Sequence, residues 1–245
     1  MTLLDDMRRE LSERYERLKR GQDPIMVIDE WETEASRIPE RCCESFCITK
    51  RPAREGDIWT MKEDERGVFG YENVLFTRKA TITGLEEKVP MEKPIVWMSD
   101  SPREYYAMWE LVARTKPRRV LVGGLGLGIL ASLLSKRSDI DEVVVVEKSK
   151  CVIDLVKPHL HPKVRIIHGD FFKTASELGT KGEEYDTVIL DIYTGKEDIE
   201  DVKIDIETVE DTFPESRVIA WKFQPELEED ISVFYAFREA RKREA

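Results

Sequence analysis

The stretch Val120-Leu121-Val122-Gly123-Gly124-Leu125-Gly126-Leu127-Gly128 is the most informative segment of the chain. Its three leading apolar residues predict the end of a buried β-strand, and Ile129–Leu134 behind the glycines predicts a helix. Glycines between a strand and a helix permit a tight turn and let a ligand reach backbone that side chains would otherwise cover. This glycine turn is therefore the first candidate binding site.

Short runs rich in valine and isoleucine recur along this half of the chain and alternate with helix-capable stretches. The predicted strands are Arg119–Val122, Glu142–Glu147, Val164–His168, Thr187–Asp191 and Arg217–Trp221. Strands that alternate with helices usually form a parallel sheet with helices on both faces. We predict an α/β fold with a Rossmann-like, doubly wound, mainly parallel sheet. After its fifth strand the sequence leaves room only for a last helix, Glu228–Lys242.

The residues before this region have a different pattern. Apolar residues at steps of three and four predict an amphipathic helix over Leu3–Arg20, and a second helix is predicted from Pro24 to Arg37. Short β-rich runs between Phe46 and Met98 predict a small antiparallel sheet. We therefore divide the chain into an N-terminal region of helices and a small β domain, 1–98, and a Rossmann-like domain, 99–245.

The chain is acidic, with 245 residues and a net charge of −11. An acidic surface disfavours nonspecific binding to nucleic acid or to an anionic membrane, because both require a cationic field. The polar start of the sequence predicts no signal peptide, and no apolar run is long enough to cross a bilayer. We expect a cytoplasmic protein that acts on a small molecule, with no nucleic-acid or membrane partner. The N-terminal region could mediate homo-oligomer formation.

Four cysteines occur, at Cys42, Cys43, Cys47 and Cys151. The spacing of the first three does not match a Cys-x-x-Cys pair, and no histidine lies nearby, so a structural metal is disfavoured. We expect reduced, partly buried thiols.

An acid follows each of three predicted strands. Glu147 ends the second strand, where a carboxylate can accept both hydroxyl hydrogens of a ribose. Asp170, between Gly169 and Phe171, could accept from the amine of an adenine against an apolar wall, or cap the following helix. Asp191 ends the fourth strand, at the sheet edge where ligands of such folds bind, although it too could be a helix cap.

Four motifs together resemble the class I S-adenosylmethionine (AdoMet)-dependent methyltransferases, and among these the spermidine synthase (polyamine aminopropyltransferase) branch. They are Val120–Gly128, Val144-Val145-Val146-Glu147-Lys148, Arg165-Ile166-Ile167-His168-Gly169-Asp170 and Tyr185-Asp186-Thr187-Val188-Ile189-Leu190-Asp191.

The resemblance implies a role for each matching residue. The glycines Gly124, Gly126 and Gly128 would frame the methionine side of AdoMet or its decarboxylated form. Glu147 would contact the ribose and Asp170 the adenine. Further candidate cofactor contacts are Gly123, Lys148, Gly169, Phe171 and Asp191. Asp191 would be the catalytic group at the reacting end, with Tyr193 beside the substrate. The acidic helix start at Asp100–Glu104 also occurs in that branch, which makes Asp100 a candidate substrate residue.

Two departures affect the choice of reaction. Aminopropyltransferases carry an acid in the turn where this chain has Leu127, and Asp-x-x-Asp-Pro where it has Asp191-Ile192-Tyr193-Thr194-Gly195. These differences favour methyl transfer to an unknown acceptor over aminopropyl transfer from decarboxylated AdoMet. A non-catalytic nucleoside-binding or assembly protein is a third hypothesis. NAD binding ranks below these, because the three acids suit a ribose, a base and a cationic tail better than a second nucleotide.

Overall fold

The computed structural model describes residues 9, 25–56, 58–60, 73–193 and 199–221. Within those ranges, no helix is both long enough and apolar enough to span a bilayer. Apart from Arg9, the predicted helices Leu3–Arg20 and Glu228–Lys242 lie outside the described residues, so both stay predictions.

The strands of the N-terminal region form two sheets. They are β1 (Ile25–Ile28), β2 (Arg41–Cys42), β3 (Phe46–Ala53), β4 (Ile58–Thr60), β5 (Asn73–Phe76), β6 (Ala80–Glu87) and β7 (Ile95–Ser99). One sheet is antiparallel, in the order β2-β3-β6-β7, and confirms the small sheet predicted from the sequence. The other has the order β1-β5-β4, with β1 parallel to β5 and β4 antiparallel to it.

The predicted helix from Pro24 to Arg37 is wrong. Its first part is strand β1, and only Glu34–Arg37 is helical, as one 3-10 turn. Val27 is exposed whereas Ile28 is buried, which is the alternation of a strand rather than the period of a helix. Residues Ile25–Ile28 form a strand because they pair with β5, which lies far along the chain. Local propensity does not reveal such a partner.

The second half of the chain alternates helices and strands. In order they are α1 (Pro102–Arg114), β8 (Arg118–Gly123), α2 (Ile129–Lys136), β9 (Ile140–Glu147), α3 (Lys150–Val156), β10 (Val164–His168), α4 (Phe171–Thr180), β11 (Thr187–Leu190), α5 (Ile199–Thr212) and β12 (Arg217–Ala220). The sheet order is β10-β9-β8-β11-β12, and every pairing is parallel. The predicted Rossmann-like doubly wound sheet is confirmed, and its strand order reverses between β8 and β11.

Alternate residues of the parallel strands enter two separate cores. Val143 and Val145 of β9 face a core that includes residues of α1, α2 and α3. Val144 and Val146 face the other core, with residues of α4 and α5. All four valines are nearly fully buried, so this strand is apolar on both faces. The first core also takes in Ile48, Leu85 and Met98, and so joins the antiparallel sheet to the Rossmann-like domain.

The expectation of reduced thiols is wrong. Cys42 is bonded to Cys47, and Cys43 to Cys151, so none of the four cysteines is free. Cys42 and Cys47 face each other across the β2–β3 pair, with Cα atoms 4.0 Å apart. Cys151 lies 108 residues from Cys43, a separation across which sequence spacing gives no indication of pairing. Disulfides are typical of oxidising compartments and of the intracellular proteins of hyperthermophiles.

Candidate active site

A cavity of about 600 Å³ lies at the carboxyl ends of the parallel strands, where their order reverses. Its volume is in the range of small-molecule sites. The strand ends contribute Gly124, Gly126, Glu147–Ser149, Gly169–Phe172 and Asp191–Tyr193. The N-terminal sheet and α1 form another wall, with Phe46, Leu85, Glu87, Trp97, Met98 and Glu104 among its residues. The cavity is therefore enclosed by both regions of the chain.

The glycine turn brings two strand ends close together. Gly124 and Gly126 have φ of +90° and +51°, a conformation that residues with side chains rarely adopt. A Cβ on Gly124 would overlap the carbonyl oxygen of Asp191. The Asp191 N–H donates to the carbonyl oxygen of Gly123 at 2.9 Å. The turn thus fixes Asp191 next to the glycines.

Glu147 braces the turn. Its Oε2 accepts from the Leu125 N–H at 2.8 Å, and its Oε1 accepts from the Ser149 N–H at 2.6 Å. The side chain is buried, so these two hydrogen bonds compensate for the loss of water. A carboxylate has about four acceptor positions, and the two that remain could accept the hydroxyl groups of a ribose.

Met98 contacts the turn from the opposite wall. The Leu127 N–H donates to its sulfur at 3.3 Å, and a Cβ on Gly126 would lie 2.6 Å from that sulfur. The N–H groups of Gly124, Leu125, Leu127 and Gly128 therefore all donate to acceptors within the protein. Sequence reasoning missed Met98, because nothing in its local pattern indicates that β7 reaches the turn.

Asp170 has the capping role that the sequence allowed. Its Oδ1 accepts from the Lys173 N–H at 3.3 Å at the start of α4, and Lys148 Nζ lies 3.8 Å from its Oδ2. The side chains of both residues are largely exposed. Phe171 packs its ring against Gly123, and its contact with Phe172 is edge to face, with ring centroids 5.4 Å apart. This end of the cavity combines an apolar wall with a partly neutralised acid.

The other end of the cavity is acidic. Shielding from bulk water and, secondarily, the negative charge of Glu104 raise the pKa of Asp191 to about 7. Glu104 lies in the first turn of α1, where its Oε2 accepts from the Ser99 N–H. Of the described residues that line the cavity, Lys148 alone is basic, and it lies beside Asp170 rather than at this end.

The two predicted substrate residues differ in their surroundings. Tyr193 lines the cavity, but its hydroxyl donates to Asp205 Oδ2 at 3.1 Å, so it contributes its ring as a wall. Asp100 does not reach the cavity: it is fully buried and accepts from Thr33 Oγ1 and the Thr83 N–H. It joins the N-terminal sheet to the start of α1, and the assignment of Asp100 to the substrate is corrected on this ground.

The acid of that segment that does line the cavity is Glu104. Sequence reasoning marked the stretch Asp100–Glu104 as an acidic helix start but selected its first member. The first turn of α1 orients Glu104 inward, whereas Asp100 precedes the helix. The aromatic wall residues Phe46, Trp97 and Trp221 were also missed, because their strands come together only in the folded chain.

Comparison with solved structures gives matches of low sequence identity. A spermidine synthase in complex with the transition-state analogue AdoDATO is 14% identical over 66% of this chain and 61% of its own, with a TM-score of 0.40. The spermidine synthase of Thermotoga maritima is 14% identical over 66% and 59%, with a TM-score of 0.38. A protein-L-isoaspartate O-methyltransferase is 23% identical over 43% and 33%, with a TM-score of 0.32.

This chain thus spans 61% and 59% of the length of the two spermidine synthases. No family model matches the sequence, and no curated protein matches it. The fold assignment rests on the strand order β10-β9-β8-β11-β12 and on the glycine turn after β8. The structure therefore has a Rossmann-like doubly wound fold, which is the fold that the resemblance of its motifs implies.

Proposed function

We propose that this chain is an AdoMet-type transferase that moves a methyl group from a nucleoside sulfonium to an acceptor deprotonated by Asp191. The observation that carries the proposal is the carboxyl of Asp191, whose raised pKa of about 7 occurs in the same cavity as the glycine turn. A base with a pKa near neutral pH is well suited to accept a proton during reaction.

The described residues fit an adenosine-bearing cofactor. Glu147 keeps acceptor positions for ribose hydroxyls after its two hydrogen bonds to backbone N–H groups. Asp170 and the rings of Phe171 and Phe172 offer an acceptor and an apolar surface for a base. Glu147 and Asp170 lie at the ends of the neighbouring strands β9 and β10, so the two carboxylates are adjacent at this edge of the sheet.

The charges at the reacting end also support a sulfonium. When bound, the cofactor would supply an electrophilic carbon attached to a positively charged sulfur. Glu104 and Asp191 would attract that charge, and the attraction would disappear once the sulfur becomes a neutral thioether. The acids would thus favour the donor over its product. Tyr193 and Trp97 would exclude water, while Asp191 would accept the acceptor's proton on a carboxylate oxygen.

One observation favours a second candidate, aminopropyl transfer from decarboxylated AdoMet. Glu104 and Asp191 place two acids at the reacting end, and the basic residue of the described lining, Lys148, lies at the other end. The carboxylate of AdoMet would be repelled by the two acids at that end. Four backbone N–H groups of the turn, which could otherwise donate to this carboxylate, already donate to protein acceptors. The decarboxylated donor lacks that carboxylate and keeps the ammonium group, which the acids would attract.

Calorimetric titration tests the nucleoside site. We expect 5′-methylthioadenosine and S-adenosylhomocysteine to bind with micromolar Kd and NAD to bind at least about tenfold more weakly. NAD binding tighter than both thioethers would contradict the proposal.

Turnover assays then separate the reactions. AdoMet with a pool of small amines tests methyl transfer, and decarboxylated AdoMet with putrescine tests aminopropyl transfer. Nucleoside binding without transfer from either donor would favour the third hypothesis, a non-catalytic nucleoside-binding or assembly protein.

A further inference from the structure

The Cys43–Cys151 disulfide takes no part in the proposed chemistry, yet both of its ends lie beside the cavity. Cys43 is in the turn between β2 and β3, and its N–H donates to the carbonyl oxygen of Phe46 at 2.9 Å. Cys151 is in the first turn of α3, between Ser149 and Val152. Phe46, Ser149 and Val152 all line the cavity. One covalent bond therefore joins segments that belong to two of its walls.

The α3 end of this bond is coupled to Glu147. The Ser149 N–H donates to Glu147 Oε1 at 2.6 Å, and Ser149 Oγ accepts from the Val152 N–H at 3.2 Å as the cap of α3. A shift of the first turn of α3 would displace Ser149 and loosen its hydrogen bond to the carboxylate. The position of Cys151 is thus linked to the residue that braces the glycine turn.

We propose that the Cys43–Cys151 disulfide is a positioning element of the nucleoside site, which holds the wall that carries Phe46 against the segment that carries Glu147. Reduction of this bond weakens nucleoside binding, because the freed segments gain conformational entropy that binding must then remove. The inference rests on the proposed function, since it requires that the cavity bind a nucleoside.

The second disulfide provides a matched comparison. Cys42 and Cys47 lie on the same pair of neighbouring strands, directly opposite each other in register. Their bond closes a hairpin within one wall and does not connect that wall to α3. Its loss removes the same number of sulfur atoms and of cross-links, without freeing the ribose-side segment.

The redox step requires a dithiol reductant such as dithiothreitol. One of its thiolates attacks a sulfur of the Cys43–Cys151 bond and forms a mixed disulfide, which the second thiolate resolves. The reductant leaves as a cyclic disulfide. Two electrons and two protons reach the chain, so that Cys43 and Cys151 become thiols.

The first experiment measures the Kd of 5′-methylthioadenosine for the full chain, oxidised and reduced, by titration calorimetry. We expect the Kd to rise at least roughly fivefold on reduction, at a temperature at which near-ultraviolet circular dichroism shows both forms folded. The double variant Cys43→Ser/Cys151→Ser should bind like the reduced form and ignore dithiothreitol. The double variant Cys42→Ser/Cys47→Ser should bind like the oxidised wild-type chain, and its Kd should still rise when dithiothreitol is added.

A Kd that stays within about twofold in the reduced chain overturns the inference while leaving the proposed function intact. A failure of both oxidised and reduced chains to bind any adenosine thioether overturns the proposed function and this inference with it. If the Cys43→Ser/Cys151→Ser chain does not fold, reduction of the Cys42→Ser/Cys47→Ser chain opens the Cys43–Cys151 bond alone and gives the same comparison.

A second readout distinguishes positioning from simple stabilisation. If the disulfide favours the nucleoside-bound state, bound nucleoside must by linkage make the disulfide harder to reduce by the same factor. Alkylation and peptide mapping measure the dithiothreitol concentration at which half of the Cys43–Cys151 bond is reduced. Saturating 5′-methylthioadenosine should shift this midpoint by about 30 mV for each tenfold difference in nucleoside Kd between the reduced and the oxidised chain. The midpoint of Cys42–Cys47 should not move. An unshifted midpoint for Cys43–Cys151 overturns the inference.

Discussion

The two ends of the cavity carry acids in contrasting surroundings. At the end proposed to bind the nucleoside, Glu147 accepts hydrogen bonds from two backbone N–H groups, and Asp170 caps α4 and lies near Lys148. At the reacting end, shielding from water and the charge of Glu104 raise the pKa of Asp191 to about 7. The same residue type, an acid after a parallel strand, is thus kept as a hydrogen-bond acceptor at one end and as a group that can exchange a proton at the other.

The largest effect is expected from Asp191→Asn. The amide has nearly the same shape but cannot accept the acceptor's proton, so kcat should fall at least about 100-fold. The Kd of 5′-methylthioadenosine should stay within about twofold, because the proposed ribose and adenine contacts, Glu147 and Asp170, belong to other strand ends. Steady-state kinetics and calorimetry measure the two quantities, with Asp154→Asn on the exposed side of α3 as control. A collapse of nucleoside binding would instead make Asp191 a cofactor contact.

Glu147→Gln should have the next largest effect, and it should change nucleoside binding rather than kcat. A glutamine has one acceptor oxygen, so it cannot accept from both the Leu125 and the Ser149 N–H groups. We expect the nucleoside Kd to rise by about 10- to 100-fold, with a smaller change in kcat at saturation. Glu142→Gln, near the other end of the same strand, is the matched control. An unchanged Kd would show that this carboxylate does not contact the ribose.

Glu104→Gln should change the pH dependence of activity. Because the negative charge of Glu104 raises the pKa of Asp191, its removal lowers that pKa. In the wild-type chain activity should rise with pH through about 7 as Asp191 loses its proton. In the variant the midpoint should move to lower pH, by up to roughly one unit. Glu110→Gln on the same helix should leave the pH midpoint unchanged. Equal midpoints for the wild-type chain and both variants would show that Glu104 does not affect the pKa of Asp191.

The smallest effect is expected from Lys148→Ala. Its Nζ lies 3.8 Å from Asp170, and the two side chains are 84% and 50% exposed, so solvent screens their attraction. The nucleoside Kd should change by less than about twofold in calorimetry. A tenfold loss would mean that Lys148 contacts the ligand directly, and the nucleoside end would then rely on a side-chain cation as well as on backbone groups.

The residues that sequence reasoning located well all follow a parallel strand. Glu147, Asp170 and Asp191 line one cavity because the carboxyl ends of parallel strands share one edge of the sheet. The choice between Asp100 and Glu104 could not be made in this way. Both belong to one acidic helix start, and which of them faces the cavity depends on the packing of α1 and on the hydrogen bonds of Asp100 to Thr33 and Thr83.

Three of the cavity residues that were missed come from the other region. Met98, Trp97 and Phe46 belong to antiparallel strands whose pattern indicates a sheet but not what that sheet covers. The pairing of Cys43 with Cys151 was missed for the same reason, since 108 residues separate the two. Contacts of this kind depend on how two regions dock, and local periodicity contains no information about docking.

The amino-acid sequence was sufficient for the alternation of strands and helices, the glycine turn and the acids that follow the strands. These features depend on short-range preferences: hydrophobic periodicity, the conformational freedom of glycine and the capping of helices. The folded chain added the second wall of the cavity, the contact of Met98 with the turn, the charge of Glu104 beside Asp191 and both disulfides. Desolvation and Coulomb interactions act between residues far apart in the chain, so the raised pKa of Asp191 arises only in the folded chain.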